Sequence, residues 1–439
     1  MEWQFVLLVI FGSLVFLMLT GMRVAFCFML INVAGMYVYF GGMGGLEHLI
    51  TSMYSTLNTF VLLPAPLFIL MGEVLFHSGI APLLIETIDK LMGRLPGRLG
   101  LLAVASGTLF STLTGTSLAS TAMLGSALTP IMEERGYKKP MSLGPILGSG
   151  GLAMMIPPSA LAVLCGAIGE VSIGKILMGI IIPGILMAAI YATYIIVRCW
   201  LQPSIAPAYK VTPIPLSEKL VSAVKYILPV GLVIFLVVGV IFLGIATPSE
   251  AAATGSVGAF MLAFLYKRLN WLVLKKSIIG TLSVTGMLFL IIAGARAFSQ
   301  VLAFSGASAG IAELASELPI APIFIIMAMQ VVLLFLGCFM EVVSIMMVTI
   351  PIFLPVAVSL GFSSVWFSII LLLNIEMATT SPPFGLALFV MKGVAPSDTT
   401  MGDIYRAALP FLGCDLIAMA LLIAFPELAL WLPGLMQQR

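Results

Sequence analysis

Two hydroxyl-rich stretches and two Pro-Pro pairs are the parts of this sequence best suited to chemistry. Ser111-Thr112-Leu113-Thr114-Gly115-Thr116-Ser117 sits between apolar flanks, and Met155-Ile156-Pro157-Pro158-Ser159 interrupts a later apolar run. Further on come Gly337 to Ser344, which includes Glu341, and Thr379-Thr380-Ser381-Pro382-Pro383. Proline has no N–H and clashes with the preceding turn, so a pair of prolines breaks a helix and frees its carbonyls. Small hydroxyls and freed carbonyls are the oxygen ligands that hold monovalent cations in broken membrane helices. The pattern therefore predicts two Na⁺ sites. One combines Thr114, Gly115, Ser117 and Ser120 with Ser149, Gly150 and Pro157; the other combines Gly337, Glu341 and Ser344 with Thr379, Thr380 and Ser381. Helix N-termini facing the same gap offer unpaired N–H groups and partial positive charge, which favour an anionic substrate. Its expected contacts are Thr116, Ser117, Pro158, Ser159, Val343, Ser344, Pro382 and Pro383, with Arg296 added below. A single Ser or Thr in a helix commonly bonds back to its own turn; the clustering at both breaks sets this group apart.

Charged residues inside apolar spans are expensive and mark function. Glu73, Arg296, Glu341, Glu376 and Asp415 are of this kind. Arg296 has three roles open to it: meeting a substrate carboxylate, pairing with an acidic neighbour, or snorkelling to an interface. Glu376 is either a proton site or a structural partner. Enzymatic chemistry finds no support. His48 and His77 stand in no HExxH spacing, no GxxxxGK[ST] phosphate loop occurs, and no Ser/His or paired-Asp constellation is visible. No organic cofactor and no nucleic-acid partner is expected. The cysteines Cys27, Cys165, Cys199, Cys338 and Cys414 form no CxxC or Cys/His cluster and read as core residues.

The elements that must carry these groups are membrane helices. The chain is 61% hydrophobic and only 9% charged, against roughly 25% charged in soluble domains. Apolar runs long enough for a hydrocarbon core of about 30 Å recur throughout, and Phe5–Thr20 reads as a retained span. All Lys and Arg except Lys175, Arg296 and Arg439 fall on one side of a consistent topology, which the positive-inside rule makes cytoplasmic. Both termini then lie outside. Leu99–Met132 is flanked by basic clusters at both ends, so it returns to its side of origin. Its polar centre favours a re-entrant hairpin buried in protein over two full spans with an ordinary turn.

A shift of 225 residues lays Pro157-Pro158 on Pro382-Pro383, Pro130 on Pro355 and Gly136-Tyr137 on Gly361-Phe362. The second copy is flanked by residues without Lys or Arg, so its hairpin opens outward and the repeats are inverted. Inverted repeats with hairpins and broken helices place a site near the midplane and suit alternating access. The expected fold is an all-α polytopic membrane transporter. Residues 1–98 form scaffold spans and an interfacial arm, and 99–175 the first transport half (hairpin about 99–135, broken helix about 141–167). Residues 176–304 carry a closing span, a linker and scaffold, and 305–406 the second half (hairpin about 320–360, broken helix about 365–391). Residues 407–439 close the chain.

These residues resemble a known family, the large membrane subunit of tripartite ATP-independent periplasmic (TRAP) transporters. The likeness is carried by Gly337-Cys338-Phe339-Met340-Glu341, Ile350-Pro351-Ile352-Phe353-Leu354-Pro355, Asn374-Ile375-Glu376, Thr380-Ser381-Pro382-Pro383-Phe384-Gly385 and Leu388-Phe389-Val390. Gly115-Thr116-Ser117, Glu134-Arg135-Gly136-Tyr137 and Ile156-Pro157-Pro158-Ser159 add to it in the first half. The resemblance implies an elevator mechanism in a bacterial inner membrane, Na⁺ coupling, and an organic acid delivered by a soluble periplasmic binding protein. It also implies a small four-span membrane subunit beside this chain. It carries the ion-site role onto both tips and both Pro-Pro breaks, whereas many relatives have an apolar or small residue where Arg296 stands. A stand-alone divalent-anion/Na⁺ symporter of related fold is the alternative. A C4-dicarboxylate, a sugar acid such as sialic acid, or a sulfonate would each suit the site.

Overall fold

The computed structural model describes residues 3–22, 24–93, 95–114, 117–207, 215–337 and 340–436. Helices α1 (Trp3–Leu19), α2 (Val24–Tyr39), α3 (Met43–Leu57) and α4 (Pro64–His77) lead to α5 (Ile80–Leu91). A helical pair, α6 (Arg98–Thr114) and α7 (Ser117–Glu134), precedes α8 (Lys139–Met155) and α9 (Ala160–Gly169). Helices α10 (Ile173–Gly179), α11 (Ile181–Leu201), α12 (Leu216–Ser222), α13 (Leu228–Phe242) and α14 (Pro248–Leu265) follow. Then come α15 (Trp271–Phe304), α16 (Ala307–Glu317), the pair α17 (Pro322–Gly337) and α18 (Val342–Ser359), and α19 (Ser364–Thr379). The chain ends through α20 (Leu386–Val394), α21 (Met401–Ala424) and α22 (Glu427–Leu435). The described residues contain no strand.

Helix α4 leads through the short α5 to the pair α6 and α7, and α15 leads through the short α16 to the pair α17 and α18. Local signals place these joints. Ser78-Gly79 turns α4 into α5 and Ser305-Gly306 turns α15 into α16; both glycines are left-handed, at φ 69° and 74°, where a side chain would be strained. Thr247 and Glu250 form a capping box that starts α14, and Thr400 with Asp403 does the same for α21.

This is a multi-pass membrane protein. Phe60–His77, Ile173–Leu201, Leu216–Phe242, Trp271–Phe304, Val342–Ser359 and Met401–Ala424 are long and apolar enough to cross a bilayer, and α8 with α9 adds a candidate bent by 46°. Outer helices present apolar side chains such as Phe16, Phe235, Phe264 and Phe335 to the surroundings. At the centre α8 is buried from Met141 to Met155 and α19 from Val365 to Thr379, as helices apolar all round must be.

Some boundaries differ from expectation. The span expected at Ile176–Val197 is two helices, α10 and α11, meeting at Ile180 and extending to Leu201. Helix α15 begins at Trp271 rather than Ser277; its 34 residues reach about 50 Å, well beyond the hydrocarbon core. The C-terminal α22 was not expected, because nine residues with Pro433 inside are too short to read as a span. Cys27, Cys165, Cys199 and Cys414 are free and buried, and Cys338 lies outside the described residues.

Candidate functional site

The first helical pair ends against the two broken helices. Ser117, the first residue of α7, donates its hydroxyl to Glu376 Oε2 of α19 at 2.8 Å. Thr379, one turn along α19, reaches Glu376 Oε1 at 3.3 Å while bonding back to the Glu376 carbonyl at 2.8 Å. Glu376 is only 2% exposed, and none of the ion pairs among the described residues includes it. A buried carboxylate without a basic partner calls for a cation or a proton.

Helix α8 closes on both sides of this contact. A Cβ at Gly150 would collide with Thr121 Oγ1 and stand 3.3 Å from the Ser117 carbonyl, and one at Gly151 would collide with the Glu376 carboxylate. Thr121 Oγ1 is fully buried and has no hydrogen-bond partner among the described residues. The Glu376 carboxylate with the Ser117 and Thr379 hydroxyls is a set of oxygens of the kind a small cation takes, and the Thr121 oxygen lies against Gly150, the residue before Gly151.

Of the residues expected at the first site, Ser117 and Gly150 meet across α7 and α8, while Ser120 on α7, Ser149 on α8 and Pro157 just beyond α8 are buried. The Ser149 hydroxyl is engaged by the Ile146 carbonyl at 3.3 Å and packs on Gly107 of α6. The Thr114 side chain, Gly115 and Thr116 lie outside the described residues. Ser159 caps α9, accepting from the Ala162 N–H at 3.3 Å, beside buried Pro158.

At the second site, Gly337 at the end of α17 abuts Ala378 of α19 so closely that a Cβ there would collide with it. Glu341 caps α18, its carboxylate accepting from the Val343 and Ser344 N–H groups at 3.1 and 3.3 Å and from the Ser344 hydroxyl at 3.5 Å. Those N–H groups, expected to meet an anionic substrate, are thus engaged by the protein's own carboxylate. Thr380 bonds back to the Met377 carbonyl at 3.1 Å, and the Ser381 carbonyl accepts from the Gly385 N–H at 3.0 Å. The breaks differ in access. Pro157 and Pro158 are buried, whereas Pro382 is half-buried and Pro383 exposed, with the Tyr405 hydroxyl donating to the Pro383 carbonyl at 2.8 Å.

Arg296 on α15 pairs with Glu170, the left-handed residue (φ 55°) that ends α9. Of the roles left open for it, pairing with an acidic neighbour is the one observed.

Sequence reasoning missed Thr121, although it stands four residues after Ser117 and so on the same helix face. It also missed Gln330 and Asn374. The Asn374 side-chain N–H donates to the Gln330 carbonyl at 2.8 Å, joining α17 to α19.

Comparison with known proteins agrees with this architecture. The family model "Tripartite ATP-independent periplasmic transporter, DctM component" matches residues 11–428. The C4-dicarboxylate TRAP transporter large permease protein DctM of Pseudomonas aeruginosa is 31% identical over 385 residues, covering 87% of this chain and 88% of that protein. The sialic acid TRAP transporter large permease protein SiaM of Vibrio cholerae is 28% identical (95% and 96% covered). The ectoine TRAP transporter large permease protein TeaC of Halomonas elongata is 27% identical (97% and 98% covered). Among solved structures, the YdaH transporter of Alcanivorax borkumensis superposes with a TM-score of 0.62 at 16% identity over 88% of each chain, a likeness of fold. All three of these relatives are named large permease proteins of transporters. With a family model spanning nearly its whole length, the chain belongs to the DctM component family of tripartite ATP-independent periplasmic transporters.

Proposed function

We propose that this chain imports an organic acid across the bacterial inner membrane, driven by a Na⁺ gradient. The observation that carries the reading is the buried Glu376 carboxylate, which among the described residues is hydrogen-bonded by the Ser117 and Thr379 hydroxyls, with the Thr121 oxygen, unpartnered among those residues, against the neighbouring Gly150. Na⁺ as co-transported cargo satisfies both. The first Na⁺ site takes Ser117, Ser120, Ser149, Gly150 and Pro157 with Thr114 and Gly115; the second takes Gly337, Glu341, Ser344, Thr379, Thr380 and Ser381.

An elevator motion fits this arrangement. Hairpins α6–α7 and α17–α18, opposed as inverted repeats, travel with the broken helices α8–α9 and α19–α20. The arms α5 and α16 link them to a scaffold that includes α1, α2, α4, α13, α14 and α15. Ser117, Pro158, Ser159, Pro382 and Pro383 line the substrate side of the gap, Thr116 is taken as a substrate contact with them, and both termini face the periplasm. The family's tripartite description supports two further components, taken here to be a small four-span membrane subunit and a soluble periplasmic binding protein. The relatives' names support a C4-dicarboxylate, sialic acid or a similar acid as cargo.

The test is uptake into proteoliposomes holding this chain and its small subunit, with candidate binding proteins added outside. A Na⁺ gradient should drive accumulation of one acid, and substitution of Ser381 or Thr116 should weaken the Na⁺ dependence. Failure of every acid to respond to Na⁺ overturns the coupling. Uptake that needs no binding protein moves the assignment to a stand-alone symporter.

A further inference from the structure

A second buried carboxylate stands apart from the tip and the breaks. Asp415, in the middle of α21, is 3% exposed, and its Oδ1 accepts from the hydroxyl of Tyr191, itself 1% exposed, in the middle of α11. Phe411, one turn earlier, packs its ring 5.4 Å from Tyr191 and fills the hollow left by Gly144 and Gly148 of α8. No other partner for the Asp415 carboxyl occurs among the described residues.

The titratable groups on the elements packed around it supply no counter-charge. Helix α11 offers Tyr191 and Tyr194, with Arg198 and Cys199 in its last turn. Helix α19 offers Glu376, which lies within electrostatic reach of both Tyr191 and Asp415. Lys139 at the start of α8 is held by Glu133 and Asp398, and Lys392 on α20 donates to the Thr399 carbonyl. Cys414 adjoins it on α21, and Glu427 begins α22. One neutral hydroxyl does not offset the desolvation of an ionised carboxylate inside a membrane protein. A second carboxylate within reach adds repulsion. A proton removes both costs, and Oδ2 is free to hold it.

We propose that Asp415 is a proton-binding site, carried as the neutral acid between α11 and α21, so that transport needs a proton bound here as well as Na⁺ at the tip. The proton comes from a solvent hydronium ion, whose O–H bond breaks to leave water as one O–H bond forms on Oδ2; Tyr191 keeps its own. Tyr191 is a positioning residue that fixes which oxygen stays free. The transport half of this proposal rests on the function proposed above, and the protonation half does not.

Isotope-edited infrared spectroscopy tests it on the full chain in lipid. The aspartates are Asp89, Asp398, Asp403 and Asp415. Asp89 is paired with Arg98, Asp398 with Lys139, and Asp403 caps Thr400. With ¹³C-labelled aspartate, the wild-type protein at neutral pH should show a label-sensitive carboxylic-acid stretch. D415N should lose that band. If D415N does not fold, the band should persist in D89N, D398N and D403N, which assigns it by elimination. Absence of any such band, or its loss in one of those three, overturns the protonation. In wild-type proteoliposomes, Na⁺-driven uptake should be lost over the same alkaline range in which the band disappears. Uptake that holds constant while the band vanishes overturns the coupling to transport. If no acid is taken up at all, the functional reading fails while the infrared result stands.

Discussion

Replacing Ser117 with alanine removes one hydroxyl from the place where α7 meets α19. The lost bond is 2.8 Å long and fully buried. A hydrogen bond to a charged group contributes about 1.5–3 kcal/mol, and an orphaned buried acceptor costs about 1–3 kcal/mol. Thr379 remains on the other carboxylate oxygen, but at 3.3 Å and shared with a backbone carbonyl, so its compensation is partial. The expected loss is about 2 kcal/mol, roughly a 30-fold weakening where it falls on ion binding. Two measurements read it: the Na⁺ concentration for half-maximal uptake, and the melting temperature with and without Na⁺. S117A should need more Na⁺, and the rise in Tm produced by Na⁺ should shrink. S126A serves as control, because Ser126 is exposed on the same helix and bonds back to the Met123 carbonyl. The cycle with E376Q should be non-additive, as expected for groups in contact. A variant S117A with wild-type Na⁺ dependence and wild-type Tm would refute the assignment of this contact to the ion site.

Glu341 caps α18 through two backbone N–H groups, so E341A should lower stability by about 1–2 kcal/mol, seen as a fall in Tm, while E341Q retains part of the cap. For Arg296 and Glu170, whose side chains are 39% and 66% exposed, a double-mutant cycle should give a coupling of about 0.2–1 kcal/mol. R296Q and E170Q should then leave the KM of the acid equally unaffected; a KM raised by R296Q alone marks a substrate contact instead. Between α20 and α21, the hydrogen bond from Lys139 holds the Asp398 carboxyl below the ordinary aspartate range. Its contribution is therefore present above about pH 4 and lost as pH falls through the lower folded-state value. Thermal scans in nanodiscs should show a shallower acid-side loss for D398N than for wild type, with the difference shrinking in high salt.

The two helical pairs and the helix ends at the Pro-Pro pairs were legible because each is a local signal: a run length or a missing N–H. The partners across the site were not, since Ser117 meets Glu376 across 259 positions and no periodicity encodes that distance. The reason lies in Gly148-Ser149-Gly150-Gly151. Successive residues of a helix turn by about 100°, so four in a row look in four directions. Gly148 accepts Phe411 of α21, Ser149 packs on Gly107 of α6, Gly150 accepts Thr121 of α7, and Gly151 accepts the Glu376 carboxylate of α19. One turn of α8 thus sets the spacing of four neighbouring helices, and through Phe411 it also seats the helix that carries Asp415. In the sequence the same four residues show only that something comes close. Which neighbour takes which face is decided by packing, and a methyl group added at Gly151 would push α19, and Glu376 with it, away from Ser117.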